Sequence, residues 1–110
     1  MEFSKRLIRL VKSLPNNDVN LILGRQVTRS GTSIGANYRE ANETETKKDF
    51  LFRPRTSRKE AKETVYWLNL VIGINPQLRE EIQPVLQESK ELLKILASII
   101  LKSTKENKES

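Results

Sequence analysis

Arg29-Ser30-Gly31-Thr32-Ser33-Ile34-Gly35-Ala36-Asn37-Tyr38-Arg39-Glu40 is the stretch on which the fold turns. Glycines and small hydroxyl residues at this density form either a phosphate-cradling turn or a helix made for close approach. The flanks discriminate between the two. Val19, Leu23, Val27, Ser30, Ile34, Tyr38 and Ala41 keep three- and four-residue steps straight through the glycines, which is the period of an amphipathic helix. A phosphate loop would require G-x-x-x-x-G-K-[ST] spacing after a strand. Neither is present here.

On a wheel of about 100° per residue, Leu23, Val27, Ile34 and Ala41 fall within about 40° of one another. Arg25, Arg29 and Arg39 share a stripe on the far side. Gly24, Gly31 and Gly35 align on the flank between the two faces. A glycine in an exposed helix interior costs about 0.8–1 kcal/mol relative to alanine, so three on one line predict that a neighbouring segment needs the space.

Working outward, Phe3, Leu7, Leu10, Val11 and Leu14 form an apolar stripe ahead of Pro15, with Lys5, Arg9 and Lys12 opposite. Asn16, Asn17 and Asp18 supply turn and N-cap chemistry for the helix that follows. A third helix is expected from Thr46–Asp49 to about Ile72, ended by Gly73, Asn75 and Pro76. A fourth is expected as a lead-in from Gln77 and a long run from about Pro84, where proline is tolerated in the first turn. Its apolar positions are Val85, Leu92, Leu96 and Ile99 on one side and Leu86, Leu93 and Ile100 on another. Four helices with short connections predict an all-α fold, an antiparallel up-down four-helix bundle. It forms one domain over residues 1–103, with a polar, disordered tail over 104–110.

Composition narrows the chemistry. The chain of 110 residues has no cysteine and no histidine, which removes disulfides, imidazole bases and the commonest zinc ligands. No cofactor, metal site or catalytic set is expected, and an enzyme is disfavoured. No segment approaches the roughly 20 apolar residues of a membrane span, and the N-terminus lacks a signal-peptide pattern, so the expected location is the bacterial cytoplasm. The net charge of +6 is unevenly placed. Residues 1–60 hold 13 Lys and Arg against 7 Asp and Glu, whereas residues 61–110 hold 7 of each. The excess suits an anionic partner, although surplus lysines also serve solubility.

Along the third helix, Ala61, Val65, Leu68 and Ile72 make one apolar stripe, while Phe52, Trp67 and Leu70 make a second nearly opposite. A helix apolar on two sides needs two neighbours; in a small bundle the second could be another subunit. Glu63 falls on the Trp67 side, where an unpaired carboxylate would be costly. Hydrogen bonds to Ser, Asn or Arg groups of the second helix are expected, with Ser33 and Asn37 the candidates.

The same blocks carry a resemblance. The stretch quoted first, then Lys48-Asp49-Phe50, then Glu60-Ala61-Lys62-Glu63-Thr64 with Tyr66-Trp67-Leu68, resembles the small bacterial four-helix-bundle proteins encoded in intervening sequences of large-subunit (23S) ribosomal RNA genes. Accessory variability proteins of diversity-generating retroelements are related to these. The resemblance implies a homopentamer of four-helix bundles without known enzymatic activity and with a basic surface suited to nucleic acid. The chain departs from the family pattern at Phe52-Arg53-Pro54-Arg55-Thr56-Ser57-Arg58. A proline inside a helix costs about 3 kcal/mol or more, so a kink or a restart capped by Thr56 or Ser57 is expected. Arg53, Arg55 and Arg58 read either as a nucleic-acid contact or as a divergent stretch.

Two functions follow as expectations. One is an oligomeric RNA- or DNA-binding protein that holds phosphates through Lys5, Arg9, Lys12, Arg25, Arg29 and Arg39, largely without base readout. The other is a scaffold that docks an acidic or nucleic-acid-processing protein partner.

Overall fold

A computed structural model describes residues 2–41 and 47–109, with side-chain surroundings for residues 2–37, 53–102 and 104. The described residues form α1 (Glu2–Ser13), α2 (Asp18–Ala41), α3 (Lys47–Ile74), a short 3-10 turn (Pro76–Leu78) and α4 (Arg79–Glu109). They contain no strand.

α1 buries Phe3, Leu7 and Leu10 and ends where Pro15 withholds its N–H. The Ser13 hydroxyl closes the last turn on the Leu10 carbonyl at 2.7 Å. Asn17 then caps α2. Its Oδ1 accepts from the Asn20 backbone N–H at 2.9 Å while its carbonyl takes the first helical bond, from Leu21. Such a cap contributes about 1 kcal/mol. α2 runs unbroken through the glycine stretch, as the spacing predicts.

The glycines sit against α1. A Cβ on Gly31 would run into the Leu7 side chain, and one on Gly24 would meet Val11 Cγ1 at 2.9 Å. The neighbour that needs the space is therefore a pair of α1 side chains. Gly35, the third on the line, is half-buried.

α2 and α3 share a seam whose contacts descend in register. Asn20 pairs with Asn75, Ser30 with Thr64 at 2.8 Å, and the Ser57 hydroxyl donates to the Ile34 carbonyl at 2.8 Å. Near its far end Arg53 Nη1 donates to Asn37 Oδ1 at 3.4 Å. α3 also packs against α4, which buries Ile82, Val85, Leu86, Leu96 and Ile100. The core gathers Phe3 and Leu7, Val27 and Ile34, Ala61, Leu68 and Val71 with these. Each fully buried Leu or Ile contributes about 1.5–3 kcal/mol.

Three helix expectations are corrected. α3 shows neither a break at Pro54 nor a new cap at Thr56 or Ser57. Pro54 and Ser57 are both fully buried, and docking on α2 holds the helix together across the lost backbone bond. α4 starts at Arg79 rather than Pro84. Pro84 is exposed, so the Glu80 carbonyl deprived of its helical donor can turn to water. α4 also continues to Glu109, where a disordered tail was the expectation. Thr104 bonds the Ile100 carbonyl at 2.8 Å, and the Lys and Glu residues beyond it are good helix formers.

The reading of α3 as a helix with a free second side also changes. Trp67 packs on the chain's own core, because α2 and α4 serve two sides of α3. Leu70 alone of that stripe is seen exposed, at 36%; the Phe52 side chain lies outside the described residues.

Candidate nucleic-acid interface

Close approach of α1 to Gly24 and the turn at Pro15 leave a groove of ≈ 520 Å³ between the C-terminal half of α1 and the N-terminal half of α2. Lys12, Arg25 and Arg29 line it together with Asn17 and Thr28, and no carboxylate is among its described lining. Lys12 and Arg25 are exposed and close no salt bridge within the described residues. The groove therefore presents fixed positive charge and amide and hydroxyl donors to an anion.

Arg29 is differently placed from its neighbours. Its Nη2 donates to Glu63 Oε2 at 2.7 Å, its Nη1 to Glu60 Oε2 at 3.2 Å, and its Nε to Gln26 Oε1 at 3.2 Å. The hydrogen bond from Arg29 is the first cause that holds the Glu63 carboxyl below the usual carboxylate range. The same bond raises the Arg29 guanidinium. Both partners keep much of their exposure, 49% and 37%, so the pair contributes no more than about 1 kcal/mol. Glu63 is thus a half-exposed ion-pair partner rather than a buried carboxylate. Neither Ser33 nor Asn37, its expected partners, is bonded to Glu63: the donor group of each is taken up within α2, and Asn37 Oδ1 accepts from Arg53. The Ser33 hydroxyl bonds the Arg29 carbonyl at 2.6 Å, and Asn37 Nδ2 bonds the Ser33 carbonyl at 2.8 Å.

The other candidates are spread out. Lys5 is exposed and pairs with Glu2 at 3.3 Å. Arg9 is exposed on α1 outside the groove, and the Arg39 side chain lies outside the described residues. The Trp67 indole N–H is buried with no acceptor among the described residues, and its ring meets Tyr66 edge to face with centroids 5.0 Å apart.

A second basic cluster takes in Arg55 and Arg58, which the sequence offered as one of two alternatives, together with Lys59 and Lys62, which it did not single out. Arg55, Arg58, Lys59 and Lys62 alone among described residues line a depression of ≈ 250 Å³ on α3. The sequence signal was there in the i, i+3, i+4, i+7 spacing, but the expected restart at Pro54 obscured the continuity of the helix. Among the described residues no three His, Cys, Asp or Glu gather as a metal site, and no helix is long and apolar enough to cross a membrane.

These features define an all-α protein of four helices with basic exposed surface. The family model of the 23S rRNA-intervening sequence protein matches residues 1–98, and the chain belongs to that family. A crystal structure of a Bacteroides thetaiotaomicron protein from the S23 ribosomal protein family is similar at a TM-score of 0.81. The two sequences are 41% identical, over 90% of this chain and 92% of that one. That protein is described as having unknown function, and neither description names a reaction. No curated protein matches the chain.

Proposed function

We propose that this protein is a non-enzymatic, cytoplasmic, oligomeric helical bundle that binds nucleic acid, RNA in the first place, mainly through phosphate contacts. The observation that carries the reading is the groove between α1 and α2, where Lys12 and Arg25 stand exposed beside Arg29 without an acidic residue in the described lining. Phosphate binding by such cations releases counterions and needs no base-specific geometry. The bundle is read as up-down and antiparallel, in keeping with the descending contacts of α1 with α2 and of α2 with α3.

Assembly as a homopentamer rests on the family resemblance together with apolar side chains left in solvent. Val19, Ile22, Ile74 and Ile95 are 48–59% exposed.

The test is a salt titration of binding to generic RNA. Affinity is expected to fall steeply between about 50 and 200 mM salt, and K12E/R25E to flatten the slope by roughly 0.7–0.9 for each lost contact. Absence of binding at the low-salt end defeats the proposal. A salt-sensitive complex with an acidic protein in place of RNA would favour the scaffold reading.

A further inference from the structure

The cluster on α3 has an aromatic at its end. Arg55, Lys59, Lys62 and Tyr66 fall within about 60° of one another on the helix wheel, with Arg58 just beside them. Arg55, Lys59 and Lys62 are exposed and Arg58 is half-buried. The Tyr66 ring is 57% exposed. Seven residues of helix put the four cations along about 10.5 Å, and the ring lies about 6 Å further on. None of the four closes a salt bridge within the described residues. The nearest acids on α3, Glu60 and Glu63, are both held by Arg29 of α2. That contact offsets one of the two negative charges on the flank of the stripe.

We propose that Arg55, Arg58, Lys59, Lys62 and Tyr66 form a track for single-stranded nucleic acid, the cations holding successive phosphates and the tyrosine ring stacking one base. This rests on the nucleic-acid reading above and gives it a second, distinct surface. Duplexes need only the cations, whereas an exposed ring in line with them rewards a strand whose bases are free to unstack. Trp67 supports the ring edge-on at 5.0 Å, which limits the orientations Tyr66 must give up on stacking. One ring reads no sequence, so the track tolerates any base.

The experiment uses the full chain with a labelled oligothymidylate of about 20 nucleotides and a duplex of the same length, followed by anisotropy from about 50 to 200 mM salt. The parent is expected to prefer the single strand. R55Q/R58Q/K59Q/K62Q is expected to weaken it about tenfold or more at low salt and to reduce the salt slope by up to about 2.8, at roughly 0.7 per phosphate contact. Y66L is expected to weaken single-strand binding about tenfold with the salt slope unchanged, and Y66F to restore it. Helical circular dichroism confirms that each variant is folded, and K94Q/K102Q, exposed on α4, serves as a control that keeps the parent affinity.

Parent-like binding by the four-fold variant, with loss confined to K12E/R25E, overturns the track and leaves the groove proposal standing. Equal affinity for duplex and single strand, or equal behaviour of Y66L and Y66F, overturns the stacking assignment. Absence of all nucleic-acid binding overturns both proposals together.

Discussion

Asn20 and Asn75 exchange side-chain amides inside the molecule. Asn20 Nδ2 donates to Asn75 Oδ1 at 3.0 Å, and Asn75 Nδ2 donates to Asn20 Oδ1 at 2.8 Å, with both residues 3% exposed. The second proton of each amide is used as well, on the Pro15 carbonyl and the Val71 carbonyl at 3.0 Å each. One polar pair therefore ties the α1–α2 turn, the start of α2 and the end of α3.

Removing one member leaves the other buried and short of partners. N20A and N75A are each expected to destabilise the fold by about 1–3 kcal/mol. The double variant should cost less than the sum, because the second change removes a group already orphaned. Urea denaturation of the four chains in a double-mutant cycle checks this; strict additivity would mean that the pair is not coupled.

The glycines make a graded series. Alanine at Gly31 gains helix propensity of about 0.8–1 kcal/mol but drives a methyl into Leu7, which is fully buried and has little room to yield. Overpacking of about 1–3 kcal/mol wins, and G31A should be destabilised. At Gly24 the encounter is with one Val11 methyl at 2.9 Å on a half-buried residue, so G24A should come out close to neutral. Gly73 is exposed, helical and without positive φ, and an added Cβ meets nothing within 4 Å. G73A should stabilise by about 0.4–1 kcal/mol. Thermal melts of the three variants should rank Gly73 above Gly24 above Gly31.

The Arg29–Glu63 pair gives the stability a signed pH dependence. Because the folded-state carboxyl is lowered, chiefly by the hydrogen bond from Arg29, its contribution is complete above the ordinary carboxylate range and is lost as pH falls through the lowered value. R29Q should therefore cost up to about 1 kcal/mol at neutral pH, with solvent screening already counted. The difference from the parent should close as the acids protonate. Urea midpoints at about pH 7 and pH 3 measure it, and a gap that persists undiminished at the acid end would point to packing of the arginine stem instead.

Assembly is checked by sedimentation. The chain is expected to run well above its own 12.7 kDa. I22E, which places a charge on a side chain 59% exposed, should lower that mass while leaving helix content intact. A parent that sediments as a stable monomer removes the oligomer proposal.

Helix period and caps were legible from the residues. Leu7, Val27, Leu68 and Leu96 all fell on faces that spacing alone assigns to the interior, and Asn17 caps α2 as its type suggests. What remained hidden was decided by tertiary contact. Pro54 looks like a break until its full burial beside the Ser57 contact to α2 is seen, and Glu63 looks buried until its wheel position is set beside the reach of Arg29. The basic positions were visible one by one. Their division into a groove with Lys12 and Arg25, an internally committed Arg29 and a separate α3 stripe depends on which helices are neighbours, and no single-helix wheel contains that.

The hydroxyls of the α2–α3 seam have a consequence for alignment. A seam of leucines tolerates sliding, since one apolar contact replaces another. Here a displacement of one turn, about 5.4 Å, would part Thr64 from Ser30, Ser57 from the Ile34 carbonyl and Asn75 from Asn20, all of which are buried. Ser30 and Thr64 would keep the Val27 and Glu60 carbonyls of their own helices as acceptors, so the cost falls on Ser57 and the two asparagines, at about 1–3 kcal/mol for each group left short of a partner. The small residues of α2 therefore work as notches that admit one position of α3 and reject its neighbours. They hold the four cations and the ring of α3 at a fixed height against the groove on α1 and α2.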